Sequence, residues 1–264
     1  MEMETVSVAS MIGMGVSMLL SMGIPVGLLI YGKVKKDAKV SSFLIGAGTF
    51  FVSALVLEQI LHMVVLGTAP NLQNNIWLYG LYGAAAAAVF EETGRLVAMK
   101  FIMKKHLDFK NGFMYGVGHG GIEAILIGGM SGISNLMTSV MINSGTLQKR
   151  LEVLDDATKE ATLQQISALW TSDSYLFYIS GIERAFAIFL QIGLSILVYL
   201  AVKKGKWGCL ALAYVLHFAV DFVAVVSAKY INVIFVEVII MVFAIAVLLL
   251  ARALAKKYPE EGNI

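Results

Sequence analysis

The stretch NIWLYGLYGAAAAAVFEETGRLVAMKFIM, residues 75–103, is long and apolar enough to cross a membrane, yet it carries Glu91, Glu92 and Arg95 in its second half. About 20 predominantly apolar residues suffice to span the hydrocarbon. An ionisable side chain placed there is costly, and it is tolerated mainly when it faces a partner or a watery cavity. Glu91 and Arg95 are one turn apart on the same helix face, whereas Glu92 points about 100° away from Glu91. The stretch therefore predicts a helix that turns its charges inward on a bundle, either as an internal ion pair or as part of a reactive site.

The rest of the chain has the same character. Its 264 residues are 58% hydrophobic and only 14% charged, with a mean hydropathy of +0.80. A soluble domain would carry about 25% charged residues. The apolar runs predict an all-α polytopic membrane protein, a single domain over residues 1–264. It is read as a bundle of about seven transmembrane helices at 6–31, 41–66, 75–103, 111–143, 174–202, 207–228 and 231–255. The start, Met1-Glu2-Met3-Glu4, is acidic and lacks the basic region of a cleavable signal peptide, so the first run is expected to be a retained span. The single cysteine, Cys209, excludes an internal disulfide and a cysteine-rich zinc site.

Basic residues set the direction. Lys33, Lys35, Lys36 and Lys39 follow the first run, and Lys100, Lys104, Lys105 and Lys110 follow the third. Lys203, Lys204 and Lys206 follow the fifth, and Arg252, Lys256 and Lys257 follow the seventh, making 14 of the 20 Lys and Arg on one side. The positive-inside rule then places the N-terminus outside and the C-terminus in the cytoplasm. The outer loop, about 144–173, alternates charged residues with Leu147, Leu151, Leu154, Ile166, Leu169 and Trp170 at helical spacing. It reads as an amphipathic segment resting on the outer leaflet, in preference to a substrate-binding cap.

Seven acids fall within the predicted spans: Glu58, Glu91, Glu92, Glu123, Glu183, Asp221 and Glu237. With them come His62, His119, His217, Arg95 and Arg184. His119 and Glu123 share one face, and so do His217 and Asp221. A carboxylate one turn from an imidazole fixes the ring's tautomer and orientation. Glu91, His119 and His217 lie at a similar depth, roughly 13–18 Å from the basic ends of their helices at ~1.5 Å per residue. Glycines crowd the fourth run at 112, 116, 118, 120, 121, 128, 129 and 132, as close helix packing in lipid requires. Glu58 with His62 and Glu183 with Arg184 are further pairs that stand as support for a site.

Glu91-Glu92-Thr93-Gly94-Arg95, then Gly118-His119-Gly120-Gly121-Ile122-Glu123-Ala124, Glu183-Arg184, and His217-Phe218-Ala219-Val220-Asp221 resemble the YhfC family of bacterial multi-pass membrane proteins. More widely they resemble the type II CAAX-prenyl protease and PrsW-like superfamily of intramembrane glutamate proteases. The resemblance covers about residues 91–221. It departs from the prenyl proteases at Tyr115, where they have phenylalanine, and at Asp221, where they have asparagine. It implies hydrolysis of a peptide bond by water activated by Glu91 with His119. Glu92 and Arg95 would position Glu91, His217 and Asp221 would serve the oxyanion, and Glu123 would complete the set.

The expected activity is thus an intramembrane endopeptidase without a cofactor, acting on a membrane-embedded or lipidated peptide or protein in the lipid bilayer. No nucleic-acid partner is expected. Zinc held by His119, His217 and Glu91 is an alternative, since zinc accepts imidazole nitrogen and carboxylate oxygen. Against it, no H-E-x-x-H is present and the paired residues mix acid with imidazole. A proton-coupled transporter would also use carboxylate and histidine chains, and a non-catalytic scaffold would retain them for packing.

Overall fold

The computed structural model describes residues 3–259, so Met1 and Glu2 of the acidic start lie outside the described residues. Among those described, every regular element is helical. The long helices are α1 (Val8–Lys36), α2 (Val40–Thr68), α3 (Ile76–Val97) and α4 (Phe109–Asn143). Three short ones follow, α5 (Thr146–Leu151), α6 (Asp156–Ile166) and α7 (Ala168–Thr171). The chain then runs through α8 (Ser174–Lys204), α9 (Trp207–Ser227) and α10 (Val233–Lys257).

Six of these, α1, α2, α4, α8, α9 and α10, are long and apolar enough to cross a membrane. Side chains such as Leu19, Leu44, Phe51, Val215, Phe235 and Leu249 are exposed along them, as a lipid-facing surface demands. α3 is not one of the six, because Glu91, Glu92, Arg95 and Lys100 load its sequence with charge. Its ends are nonetheless well marked. Asn75 caps it by accepting from the main-chain N–H of Trp77 and Leu78, and a π-helical turn, Ala98–Ile102, extends it. Other π-helical turns interrupt α2 at Ser53–Glu58 and α4 at Ile125–Gly129. Such turns re-aim side chains and recur at functional sites; the one in α2 ends on buried Glu58.

The chain divides into two compact units, one of residues up to Ile24 with Ala124–Ala185, the other of Pro25–Glu123 with the stretch from Phe186 on. In the first, the segment 144–173, expected to rest on a membrane surface, is packed differently. Leu147, Leu151, Leu163 and Leu169 are buried in one core with Val6, Met14 and Ile142, and Trp170 packs against that core. The apolar stripe read as a lipid-facing surface is spent on protein contacts instead, with only Val153 and Leu154 left exposed among its large aliphatic side chains. Asp155 caps α6 by accepting from Thr158, and those hydrogen bonds hold its carboxyl below the usual range.

The second unit is organised around α8, whose residues from Leu194 to Ala201 are buried. Gly112, Gly116 and Gly120 of α4 lie against Tyr199, Ile192 with Ser195, and Gln191 with Ile188 of that helix. On another face of α4, main chain meets main chain. A Cβ on Gly118 would stand 2.0 Å from the carbonyl oxygen of Phe43, and one on Gly46 of α2 would stand 2.1 Å from that of Tyr115. Gly118→Ala is therefore expected to destabilise the fold by about 1–3 kcal/mol through overpacking. Thermal unfolding in detergent measures it, with Gly48→Ala, where the added methyl meets open space, as the unaffected control.

Candidate active site

α3 brings three of its side chains inward together. Glu91, Glu92 and Arg95 are all buried, Arg95 and Glu92 completely. The Arg95 guanidinium donates to the Ser195 hydroxyl at 2.6 Å, to the Gln191 side-chain oxygen at 2.7 Å and to the Gln191 carbonyl at 3.2 Å. Its Nε lies 3.1 Å from Glu92 Oε2, an ion contact without the directional geometry of a hydrogen bond. Glu91 Oε2 is farther off, at 3.9 Å. The i,i+4 spacing suggested Glu91 as the partner of Arg95; in the structure Arg95 pairs with both glutamates, Glu92 more closely.

Each glutamate instead has its own imidazole. His119 Nε2 lies 2.8 Å from Glu91 Oε2, and His217 Nδ1 lies 2.8 Å from Glu92 Oε1. Arg95 Nη2 reaches within 3.4 Å of His119 Nε2, so the two pairs meet across the guanidinium. His119 is held between aromatic rings, Phe50 edge-on at 5.3 Å and Tyr115 at 5.9 Å. Its Nδ1 is buried with no hydrogen-bond partner among the described residues. His217 Nε2 approaches Asp221 Oδ2 at 3.4 Å, the looser of its two contacts. Asp221 thus contacts His217 as the spacing suggested, and Glu92, from a neighbouring helix, adds a shorter contact.

Gln191 ties in the remaining acid. Its amide nitrogen donates to Glu123 at 2.8 Å and to Glu91 at 3.3 Å while its oxygen accepts from Arg95. Glu91, Glu92, Arg95, His119, Glu123, His217 and Asp221 therefore form one connected network on α3, α4 and α9, joined through Gln191 and Ser195 of α8. Neither of those two was singled out from the sequence, because neither carries charge. Their signal was weak but present, two polar residues four apart in an otherwise apolar run. Asp221 is much more open than Glu91, its side chain 35% exposed against 8%.

Of the supporting pairs, Glu58 and His62 are joined at 3.1 Å, and His62 Nδ1 meets the Tyr82 hydroxyl at 2.7 Å. Glu58 also interacts electrostatically with Glu91, His217 and Asp221, which links this chain to the network. Glu183 and Arg184 belong to the other unit, where they pair with each other through Arg184 Nε and Glu183 Oε2 at 2.7 Å.

A metal fits this arrangement poorly. Zinc needs three protein donors converging on one point, and no group of three or more His, Cys, Asp or Glu side chains does so among the described residues. The Nε2 of His119 and the Nδ1 of His217 are each engaged by a carboxylate, and a guanidinium sits between them. A fixed cation at that point opposes a second, doubly charged one.

Apolar helices around a buried acid–imidazole network define a multi-pass membrane protein with transmembrane helices. Residues 19–243 match the family model described as YhfC intramembrane metalloprotease, and the chain belongs to the YhfC family. The uncharacterized membrane protein YhfC of Bacillus subtilis is 42% identical over 198 residues, which is 74% of this chain and 76% of that one. One component of the Na(+)-translocating NADH-quinone reductase of Klebsiella pneumoniae is 26% identical over 146 residues, 54% of this chain and 71% of its own. No solved structure matches.

Proposed function

We propose that the chain is an intramembrane protease of the glutamate type, hydrolysing a peptide bond of a membrane-associated substrate. The observation that carries this reading is the single network in which two carboxylate–imidazole pairs flank a buried guanidinium. The family's description as an intramembrane protease supports it. In this reading α3 is a seventh span of one membrane-embedded domain, the N-terminus lies outside, and the lysine-rich helix ends face the cytoplasm of a bacterial cell. The place of the protein among the CAAX-prenyl and PrsW-like proteases belongs to the same proposal.

Glu91 is the general base. It takes a proton from water as the new C–O bond forms on the substrate carbonyl, and His119 Nε2–H orients it. The same proton then passes to the leaving amine as the C–N bond breaks. His217 stabilises the oxyanion, donating from Nε2, whose contact to Asp221 is the loose one, while Nδ1–H is fixed on Glu92. Arg95 keeps Glu92 ionised; Glu123 and Gln191 hold Glu91 in place. Glu58, His62, Glu183 and Arg184 are assigned supporting roles in their two units.

The word metalloprotease in the family description favours a second reading, in which the same cleavage needs zinc. The two separate by experiment. The purified protein is expected to hold less than one equivalent of zinc by elemental analysis, and to keep its cleavage rate on a model membrane peptide in excess chelator. Loss of activity restored by added zinc would overturn the metal-free mechanism. Comparison of membrane peptides in cells with the intact protein and with an inactive variant then identifies what it cleaves.

A further inference from the structure

The second unit contains an opening that the cleavage site does not use. A groove of about 410 Å³ lies between α1, α4, α8 and α10, within the size range of ligand pockets. Its walls include Leu28, Phe113, Ile196 and Leu248, and its basic members are Lys36, Lys110 and Arg252. These three sit at or near the lysine-rich ends of their helices, and among the described residues no acid lines the groove. Lys36 Nζ lies over the Tyr31 ring, 5.9 Å from its centroid, which turns the ammonium toward the groove. A neighbouring cavity of about 400 Å³ shares Lys110 and adds Lys33, Lys39 and Lys105. Asp37 and Asp108 also line it, against four lysines, and Asp37, which approaches Lys33 at 3.4 Å and Lys110 at 3.8 Å, is strongly exposed and neutralises little of this charge.

We propose that the groove seats an anionic phospholipid, with an acyl chain along the apolar walls and the phosphate among Lys36, Lys110 and Arg252. Charge and polarity select the occupant. Apolar walls open to the bilayer suit a hydrocarbon chain, and basic pockets between transmembrane helices at this level hold anionic headgroups. A zwitterionic lipid brings a cation among the lysines and loses the advantage. The site is separate from the Glu91 network, so its failure and the failure of the protease reading are distinguishable.

The test is native mass spectrometry of the full chain with phosphatidylglycerol and phosphatidylcholine of matched acyl chains. The wild type is expected to retain phosphatidylglycerol at least ~10-fold better, the upper bound for three basic groups at roughly a factor of five each being about a hundredfold. Lys36→Gln/Lys110→Gln/Arg252→Gln is expected to abolish that preference without lowering cleavage. Leu249→Trp, which fills the groove from an exposed position and leaves the cations in place, is expected to weaken retention of both lipids. Melting curves show that the variants are folded; if the triple variant is not, Arg252→Gln alone must still lower the preference several-fold. Equal retention of the two lipids overturns the proposal. So does displacement by free glycerol phosphate at equal concentration, or a second copy of the chain occupying the groove.

Discussion

Glu91→Gln and His119→Ala are each expected to lower peptide-bond cleavage at least ~10²-fold while leaving the protein folded in the membrane. The amide introduced by Glu91→Gln has the size of the carboxylate it replaces and keeps a carbonyl oxygen for His119 Nε2–H, but it cannot take a proton from water. His119→Ala removes the donor that orients Glu91 at 2.8 Å, and it leaves a small cavity between Phe50 and Tyr115. Single-turnover rates on a membrane peptide, measured beside melting temperature, separate chemistry from stability. A Glu91→Gln protein that cleaves at the wild-type rate would refute the base assignment, and a scaffold role would then account for the network better.

Arg95→Met is expected to cost about 3–5 kcal/mol of stability, the effect of leaving buried charge unpaired. Arg95 is completely buried, and its guanidinium lies 3.1 Å from Glu92 while also bonding Ser195 and both oxygens of Gln191. The methionine fills the stem of the site but answers none of these groups. Two further variants show whether charge is the cause. Glu92→Gln/Arg95→Met removes the orphaned carboxylate as well and should recover much of the loss. Arg95→Lys keeps the charge but lacks the planar fork, so it should fall between the two. Chemical unfolding in mixed micelles reads all three. A double variant no more stable than Arg95→Met would mean that packing, not charge, dominates at this position.

Most of the helical frame was legible in the chain, because apolar length and basic ends are local signals. The predicted run at 41–66 is observed as Val40–Thr68, and that at 207–228 as Trp207–Ser227. The charged residues stood out because a hydrocarbon setting makes any acid conspicuous. Their partners were legible only in part: the resemblance put Glu91 with His119, but nothing put Glu92 with His217. Spacing of four residues reports a shared face of one helix, whereas the short contacts here run between helices, from Glu92 to His217 and from Glu91 to His119. Gln191 and Ser195 escaped notice because neutral polar side chains are common in spans and only the fold shows them meeting Arg95. The outer segment misled for a related reason. An amphipathic stripe looks the same whether it will face lipid or protein.

The crossing of α2 and α4 has a mechanical consequence. With Gly46 and Gly118 seated on opposing carbonyl groups, the two backbones are fastened without any intervening side chain that could swing aside. Such a joint behaves as a rivet, and it fixes the position of the helix that carries His119. α3 and α9 meet through side chains, with Gly80 resting on Val226, Val225 and Phe222, and contacts of that kind can slide. If the chain is the protease proposed above, any widening to admit a polypeptide is expected away from the α2–α4 crossing.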